Sequence, residues 1–155
     1  MNTNSAPAQK GTKAYTTPRS FGGFQIPITM QSTNLRNYCE KNGLVFHLHV
    51  VENQIPNTYL VLESLVEKAD SYDGIVMCSV SMLPNDPRIR KSVVTRILEQ
   101  GCKLHFTFEN FVVTFPDQLT ELEELFSLID FSTNNQFLNH FLNPTQPKHP
   151  LSAKF

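Results

Sequence analysis

The feature that most constrains this chain is a regular alternation of strand-like and helix-like segments across residues 13–115. The strand-like segments are 13–16, 44–51, 74–78 and 103–109, with a short fifth at 111–115. The three segments between them carry apolar residues at helical spacing, as at Leu35, Tyr38 and Cys39. Strands that alternate with helices through short connections predict a parallel sheet with right-handed crossovers. We therefore expect an α/β domain with an open, mostly parallel sheet between two layers of helices.

The composition divides the chain into a structured core and less regular ends. The predicted divisions are a disordered tail at 1–12, the α/β core at 13–115, an acidic helical extension at 116–142 and a second disordered tail at 143–155. Within the extension we predict one helix from Gln118 to Ile129 and a second from Asn134 to Leu142. Its acidic residues are expected to form a solvated face, with the apolar residues packed on the sheet or on another subunit.

Charge and cysteine content narrow the function classes. The chain has 155 residues and a formal net charge of −1, so no global field attracts nucleic acid or an anionic membrane. We expect neither as a partner. The three cysteines, Cys39, Cys78 and Cys102, are far apart and flanked by apolar residues, which indicates buried free thiols and a cytoplasmic setting. No ligand spacing indicates a metal site, and no glycine-rich phosphate motif is present, so no cofactor is expected.

Polar side chains follow each of the four main predicted strands. The loops after these strands contain, in chain order, Arg19 and Ser20; Glu52, Asn53 and Gln54; Ser79 and Ser81; Glu109 and Asn110. In open α/β sheets the ligand lies beyond the carboxyl ends of the strands. The pattern therefore predicts a pocket at this edge without specifying a reaction.

Each candidate residue has a structural alternative. The planar fork of Arg19 suits a phosphate or carboxylate, although it is equally suited to an ion pair with Glu52 or Glu109. Ser20 acts as a nucleophile only beside a base. Glu52 and Glu109 are suited to act as acid and base in a partly dry pocket; alternatively, each caps a helix or pairs with arginine. His105, which alternates with apolar residues, is either part of the same set or a hydrogen-bonded core histidine.

Several segments resemble the sporadic carbohydrate cluster protein family, which is encoded in bacterial loci for surface polysaccharides such as O-antigen. The resemblance covers about residues 13–115 and is carried by RSF…IP…Q…LRNYCEKNGL, VVENQIP, GIVMCSVSMLP and LHFTFENFVV. The matched positions are Arg19, Phe21, Pro27, Gln31, Arg36, Tyr38, Glu52, Ser79, His105 and Glu109. The chain departs from the family at Ile28, Ser32 and Asn53, where Gln, Asn and an aromatic residue are expected.

The order of elements also resembles, more distantly, the catalytic domain of serine recombinases. That resemblance implies a flavodoxin- or resolvase-like strand order, 2-1-3-4. In that family a serine follows the first strand and an arginine-rich LDRLGR segment follows the third. Here Arg19 and Ser20 are adjacent and the loop after the third strand reads SVSMLPND, which argues against recombination.

The combined hypothesis is a small, cofactor-independent, sugar-modifying enzyme in bacterial surface-polysaccharide synthesis, acting as an isomerase, epimerase or hydrolase. Its expected ligand is a phosphorylated or nucleotide-linked sugar, and self-association is expected. The predicted catalytic residues are Glu52, His105 and Glu109, and the predicted substrate-binding residues are Arg19, Ser20, Gln31, Arg36, Asn53 and Ser79. The alternative is a non-catalytic scaffold or regulator of other enzymes in that pathway.

Overall fold

The computed structural model describes the backbone of residues 8–142 and the side chains of residues 8–135. The strands are β1 Thr12–Thr16, β2 Phe46–Val51, β3 Gly74–Met77, β4 Lys103–Phe106 and β5 Phe111–Val113. The α-helices are α1 Ile28–Lys41, α2 Leu60–Glu67, α3 Pro87–Glu99 and α4 Leu119–Leu142. Short 3-10 turns lie at Ala69–Ser71, Val80–Met82 and Pro116–Gln118. The predicted disordered tail at 143–155 and residues 1–7 of the other tail lie outside the described residues.

The five strands form one sheet in the order β2-β1-β3-β4-β5. The first four strands are parallel, and β5 pairs antiparallel with β4. From β1 the chain passes to β2 on one side of β1. It then crosses back to β3 and β4, which lie on the other side of β1. Right-handed crossovers, the rule for parallel strands, place α1 on one face and α2 and α3, which contact each other, on the other. The predicted α/β class and strand order are confirmed.

The centre of the sheet is buried on both faces. Ile75, Val76 and Met77 of β3 are fully buried, as a strand covered by helices on both faces requires. On α1, Leu35 and Cys39 point into the core. All three cysteines are buried and free, as predicted.

The acidic extension is one helix, not two. Helix α4 runs without a break from Leu119 to Leu142, so the predicted interruption at residues 130–133 is wrong. That segment contains neither proline nor glycine, and the Thr133 hydroxyl donates back to the carbonyl of Ile129 at 2.9 Å. A threonine satisfied in this way is compatible with a continuous helix. In the part of α4 whose side chains are described, to residue 135, Leu122 and Phe126 are buried.

Arg90 of α3 fastens α4 to the domain. Its Nε donates to Glu123 Oε1 at 2.8 Å, and its Nη2 donates to Glu123 Oε2 at 2.5 Å. The guanidinium lies over the ring of Phe126, with Cζ 3.7 Å from the centroid. Its Nη1 also donates to the carbonyl of Pro84 at 2.9 Å. Arg90 is therefore a buried structural cation.

Candidate functional site

A cavity of about 380 Å³ lies at the carboxyl edge of the sheet. It is lined by residues from the loops after β1, β2 and β3, including Arg19, Ser20, Gln54, Tyr59, Ser81 and Asn85. The cavity lies beyond the strand ends, where the sequence predicts a pocket. Neither Glu52 nor His105 lines it.

Arg19 is the cation of this cavity, and it is held by neutral groups. Its Nη1 donates to the carbonyls of Ile55 and Thr58, each at 2.8 Å. Its guanidinium carbon lies 4.7 Å from the centroid of the Tyr59 ring. Within residues 8–135 no carboxylate lies within ion-pair distance of Arg19. The positive charge is therefore positioned but not neutralised, and a bound anion would neutralise it. Ser20, next along the loop, is exposed.

Glu52 caps α2 from the end of β2. Its Oε1 accepts from the backbone N–H of Asn53 at 2.9 Å and of Val61 at 3.1 Å, and from Asn53 Nδ2 at 2.9 Å. Its Oε2 accepts from the Tyr15 hydroxyl at 2.9 Å and from the N–H of Leu62 at 3.0 Å. The carboxylate is 2% exposed. Both oxygens are occupied, so the contacts support the helix-capping alternative rather than proton transfer.

The same carboxylate explains where α2 begins. Asn57 and Thr58 are residue types that commonly cap a helix N-terminus, yet the helix begins at Leu60. Asn57 has a left-handed φ of 60°, and the Thr58 hydroxyl donates to Asn53 Oδ1 at 2.8 Å. Asn53 thereby folds the loop whose carbonyls hold Arg19, and it contacts no open part of the cavity. Its role is to position the loop.

Two other predicted binding residues lie away from the cavity. Gln31 is buried and holds the β1–α1 loop: its Nε2 donates to the carbonyls of Thr17 and Ile26, each at 2.7 Å. Arg36 is exposed and lies over the ring of Phe46, with Cζ 5.0 Å from the centroid. Gln31 shapes the loop, and Arg36 belongs to the outer surface of α1.

His105 lies inside the domain rather than at the sheet edge. It is 7% exposed, and its Nδ1 is 2.9 Å from the Tyr38 hydroxyl. Burial, reinforced by the charge of Lys103, lowers the pKa of His105 to about 4. Because His105 is neutral and lies inside the domain, away from the sheet edge, it fits the alternative of a hydrogen-bonded core histidine.

Ser79 and Glu109 do meet. The Ser79 hydroxyl donates to Glu109 Oε1 at 2.5 Å, and the N–H of Val80 reaches the same oxygen at 3.2 Å. Ser79 Oγ is also 2.8 Å from Ser81 Oγ. Glu109 Oε2 is buried and has no hydrogen-bond partner in the described part of the chain. The two predicted residues thus form a small polar cluster with one unused acceptor.

A second cavity of about 230 Å³ adjoins this cluster. Its lining is mostly apolar and includes Phe21, Phe24, Ser81, Phe108, Glu109 and Ile129. It shares Phe21 and Ser81 with the cavity around Arg19. Tyr59, Asn85 and Phe108 are not predicted from the sequence, because an aromatic or amide residue in a loop is not distinctive. The FGGF segment is the sequence feature that could have indicated that Phe21 and Phe24 line a cavity.

Other kinds of site find no counterpart in the described residues. No group of three or more His, Cys, Asp or Glu side chains within residues 8–135 is arranged to hold a metal ion. The search for a helix long and apolar enough to cross a membrane found none among the described residues.

Comparison with known proteins identifies the fold. No protein-family model matches the sequence, and no curated protein matches it. Among solved structures, the N-terminal catalytic domain of TP901-1 integrase is similar with a TM-score of 0.56 and 15% identity, over 79% of this chain and 97% of that one. The fold is resolvase-like. A resolvase-family site-specific recombinase from Streptococcus pneumoniae is similar with a TM-score of 0.54 and 10% identity, over 86% of this chain and 97% of that one.

This comparison corrects the predicted partners. The predicted partners were a sugar or nucleotide-linked sugar and no nucleic acid, and that prediction is wrong, because the two similar solved structures are an integrase domain and a site-specific recombinase. The error has a physical cause. A net charge of −1 argues against a diffuse attraction to a polyanion, but it does not exclude a local phosphate site built around one arginine.

Proposed function

We propose that this chain binds nucleic acid, with Arg19 contacting a backbone phosphate at the carboxyl edge of the sheet, and that it does not cleave the strand. The observation that carries the proposal is the un-neutralised guanidinium of Arg19, fixed by two carbonyls on the wall of a 380 Å³ cavity. Arginine in a fixed orientation is well suited to phosphate. The similarity to an integrase domain and a recombinase supports nucleic acid as the source of that phosphate.

The absence of cleavage follows from what surrounds Ser20. Attack on a phosphodiester needs a base for the nucleophile and cations for the charge that develops on phosphate. Among the residues that line the cavity, Arg19 is the one cation, and no His, Asp or Glu is present. Glu52, one of the predicted acid or base residues, has both oxygens occupied and does not line the cavity. We therefore assign binding rather than catalysis to this cavity.

The test is fluorescence anisotropy with labelled single-stranded and duplex DNA over a range of salt concentrations. Arg19→Gln is expected to weaken binding and to lower the salt slope by about one, as loss of one phosphate contact does. Arg88→Gln is the matched control, since its side chain is 93% exposed on α3 and lines neither cavity. Equal affinity of Arg19→Gln and wild type, or no binding at low salt, would overturn the proposal.

Arg19 also holds the β2–α2 loop through hydrogen bonds, so weaker binding by Arg19→Gln has two possible causes, the lost charge and a disturbed loop. A second variant distinguishes them. Arg19→Lys retains the positive charge and loses the planar guanidinium group. We expect it to keep most of the dependence of binding affinity on salt concentration. Unfolding curves of both variants check that the domain is intact. A role in surface-polysaccharide synthesis, membership of the sporadic carbohydrate cluster family, the scaffold alternative, self-association and a cytoplasmic location stay predictions.

A further inference from the structure

The cavity of about 230 Å³ next to the Arg19 cavity has three phenylalanine rings in its wall, those of Phe21, Phe24 and Phe108, and is called the aromatic cavity below. Phe24 is 65% exposed and Phe108 is 50% exposed, although phenylalanine is among the residues most often buried. Phe21 is buried, with its ring centroid 6.1 Å from that of Phe108. Two rings are therefore open to solvent beside a third that is packed into the domain.

The turn that presents Phe24 is specified by the sequence. Phe21 and Phe24 form an isolated antiparallel bridge, with N···O distances of 2.8 and 2.9 Å between their backbones. Gly22 and Gly23 have φ values of 57° and 83°, which two successive turn residues adopt readily only as glycine. A side chain at Gly22 would also place its Cβ 3.1 Å from Ser81 Oγ. FGGF is therefore a defined turn, and a ring held in place on it loses little freedom when a ligand covers it.

The aromatic cavity and the Arg19 cavity share two lining residues, Phe21 and Ser81, so one ligand can occupy both. The Arg19 cavity offers a cation, and the aromatic cavity offers apolar rings. A nucleic-acid strand carries a phosphate and a flat ring in every nucleotide, so it matches both. One arginine on a chain of net charge −1 is a weak anchor for a polyanion, and stacking of bases supplies a second source of affinity.

We infer that the aromatic cavity binds unpaired bases of the strand whose phosphate Arg19 contacts, with Phe24 and Phe108 as stacking platforms, so that the protein prefers single-stranded to duplex nucleic acid. This inference rests on the proposed function and names its substrate class. Inside a duplex both faces of each base are covered by the neighbouring bases. An unpaired strand can turn a base onto an aromatic ring, which is how many proteins hold single strands.

The polar groups beside the rings are already engaged within the domain. Glu109 accepts from the Ser79 hydroxyl and the N–H of Val80 through one oxygen, and its other oxygen is enclosed by the domain. Ser81 Oγ lies 2.8 Å from Ser79 Oγ. Recognition here therefore depends on ring faces rather than on hydrogen bonds to base edges. Because every base has a π face, binding is expected to depend on whether a base is present and unpaired more than on which base it is.

The experiment compares anisotropy titrations at one low salt concentration with labelled oligo(dT) and with an abasic strand of equal length, which keeps the phosphates and lacks the bases. Wild type is expected to bind oligo(dT) at least about fivefold more tightly, the lower end of the range for one stacked base. It is also expected to bind a mixed-sequence single strand at least about fivefold more tightly than the same strand annealed to its complement. Arg19→Gln is expected to weaken binding of oligo(dT) and of the abasic strand alike.

Variants of the exposed rings test the stacking itself. Phe24→Ala and Phe108→Ala are each expected to reduce the ratio of the oligo(dT) and abasic affinities. Phe131→Ala is the matched control, because Phe131 is a 66% exposed phenylalanine of α4 that lines neither cavity, and it is expected to keep the ratio. Phe24→Trp keeps an aromatic face and is expected to keep the ratio, whereas Phe24→Leu keeps only an apolar side chain and is expected to lower it.

The outcomes separate the two proposals. Binding that depends on Arg19 but is equal for oligo(dT) and the abasic strand, or equal for single strand and duplex, overturns the base site and leaves the phosphate site standing. A ratio that survives both Phe24→Ala and Phe108→Ala, or that Phe24→Leu retains in full, also overturns the base site. No binding of any of these probes overturns both proposals. Unfolding curves for each variant confirm that lost affinity is not lost structure.

Discussion

His105 makes the stability of the domain depend on pH, in a direction and over a range that the structure fixes. The imidazole is buried, its Nδ1 faces the Tyr38 hydroxyl, and its other nitrogen packs against Gly74. Burial, with the charge of Lys103 as a smaller cause, lowers the pKa of His105 from 6.5 to about 4. The folded domain therefore holds His105 neutral at a pH at which the unfolded chain has already taken up a proton.

The sign and size follow from proton linkage. Between pH 6.5 and pH 4 the unfolded chain binds one more proton at this residue than the folded chain does, so the free energy of unfolding falls as the pH falls. The stabilisation that depends on neutral His105 is fully present above the pKa of the unfolded state and is lost below the pKa of the folded state. Between the two pKa values the free energy of unfolding changes by about 1.4 kcal/mol per pH unit. Lowering the pH from about 8 to about 5 therefore removes roughly 2 kcal/mol of that free energy.

Urea unfolding at the two pH values measures this directly. His105→Gln removes the titrating group, so its loss of stability between the two pH values should be about 2 kcal/mol smaller than that of wild type. His49→Gln is the control, because His49 is a partly exposed residue of β2 whose Nδ1 is 3.0 Å from the Ser32 hydroxyl. An equal loss in wild type and His105→Gln would refute the argument that burial holds this imidazole neutral.

Three further predictions concern buried polar groups and are measured by unfolding or labelling. Glu52→Gln should destabilise the domain by about 2–3 kcal/mol in urea, because an amide N–H₂ would face the N–H of Leu62 or Val61. Arg90→Lys should lower stability by about 2 kcal/mol, because a lysine cannot form the two bonds to Glu123 and the bond to a backbone carbonyl in the same geometry. Burial raises the pKa of the three cysteines to about 11 or 12, so a thiol-specific disulfide reagent at neutral pH should label them after unfolding and only slowly before it.

The sequence predicts those parts of the fold that are encoded locally. The fully apolar β3 is recognisable because a strand covered on both faces must be apolar throughout. The start of α3 is equally clear: Asp86 accepts from the N–H of Arg88 at 2.8 Å, and Pro87 occupies the first helical position. Both features depend on neighbours in the chain. For that reason they can be seen without the structure.

The parts that sequence reasoning missed depend on distant contacts. The N-terminus of α2 is satisfied by Glu52, which lies nine residues before Val61 in the chain and at the end of a different element. Arg19 is held by backbone carbonyls, which carry no sequence signature. His105 is set apart from the strand-end residues by its partner Tyr38, 67 positions away. Residue type and strand position predict which side chains lie near the carboxyl edge of the sheet. They do not show which of those side chains already have hydrogen-bond partners within the domain.

Glu52 and Glu109 show why that distinction determines function. Both follow a strand and were assigned the same chemistry from sequence, yet Glu52 accepts five hydrogen bonds on two oxygens. Within the described residues Glu109 accepts two on one oxygen and none on the other. The Glu52 carboxylate is engaged by α2 and Tyr15, and within residues 8–135 Arg19 forms no ion pair, so its charge stays available to a ligand. Among the described side chains at this edge, Arg19 therefore carries the charge that is left for a ligand, whereas the unpaired oxygen of Glu109 is enclosed by the domain.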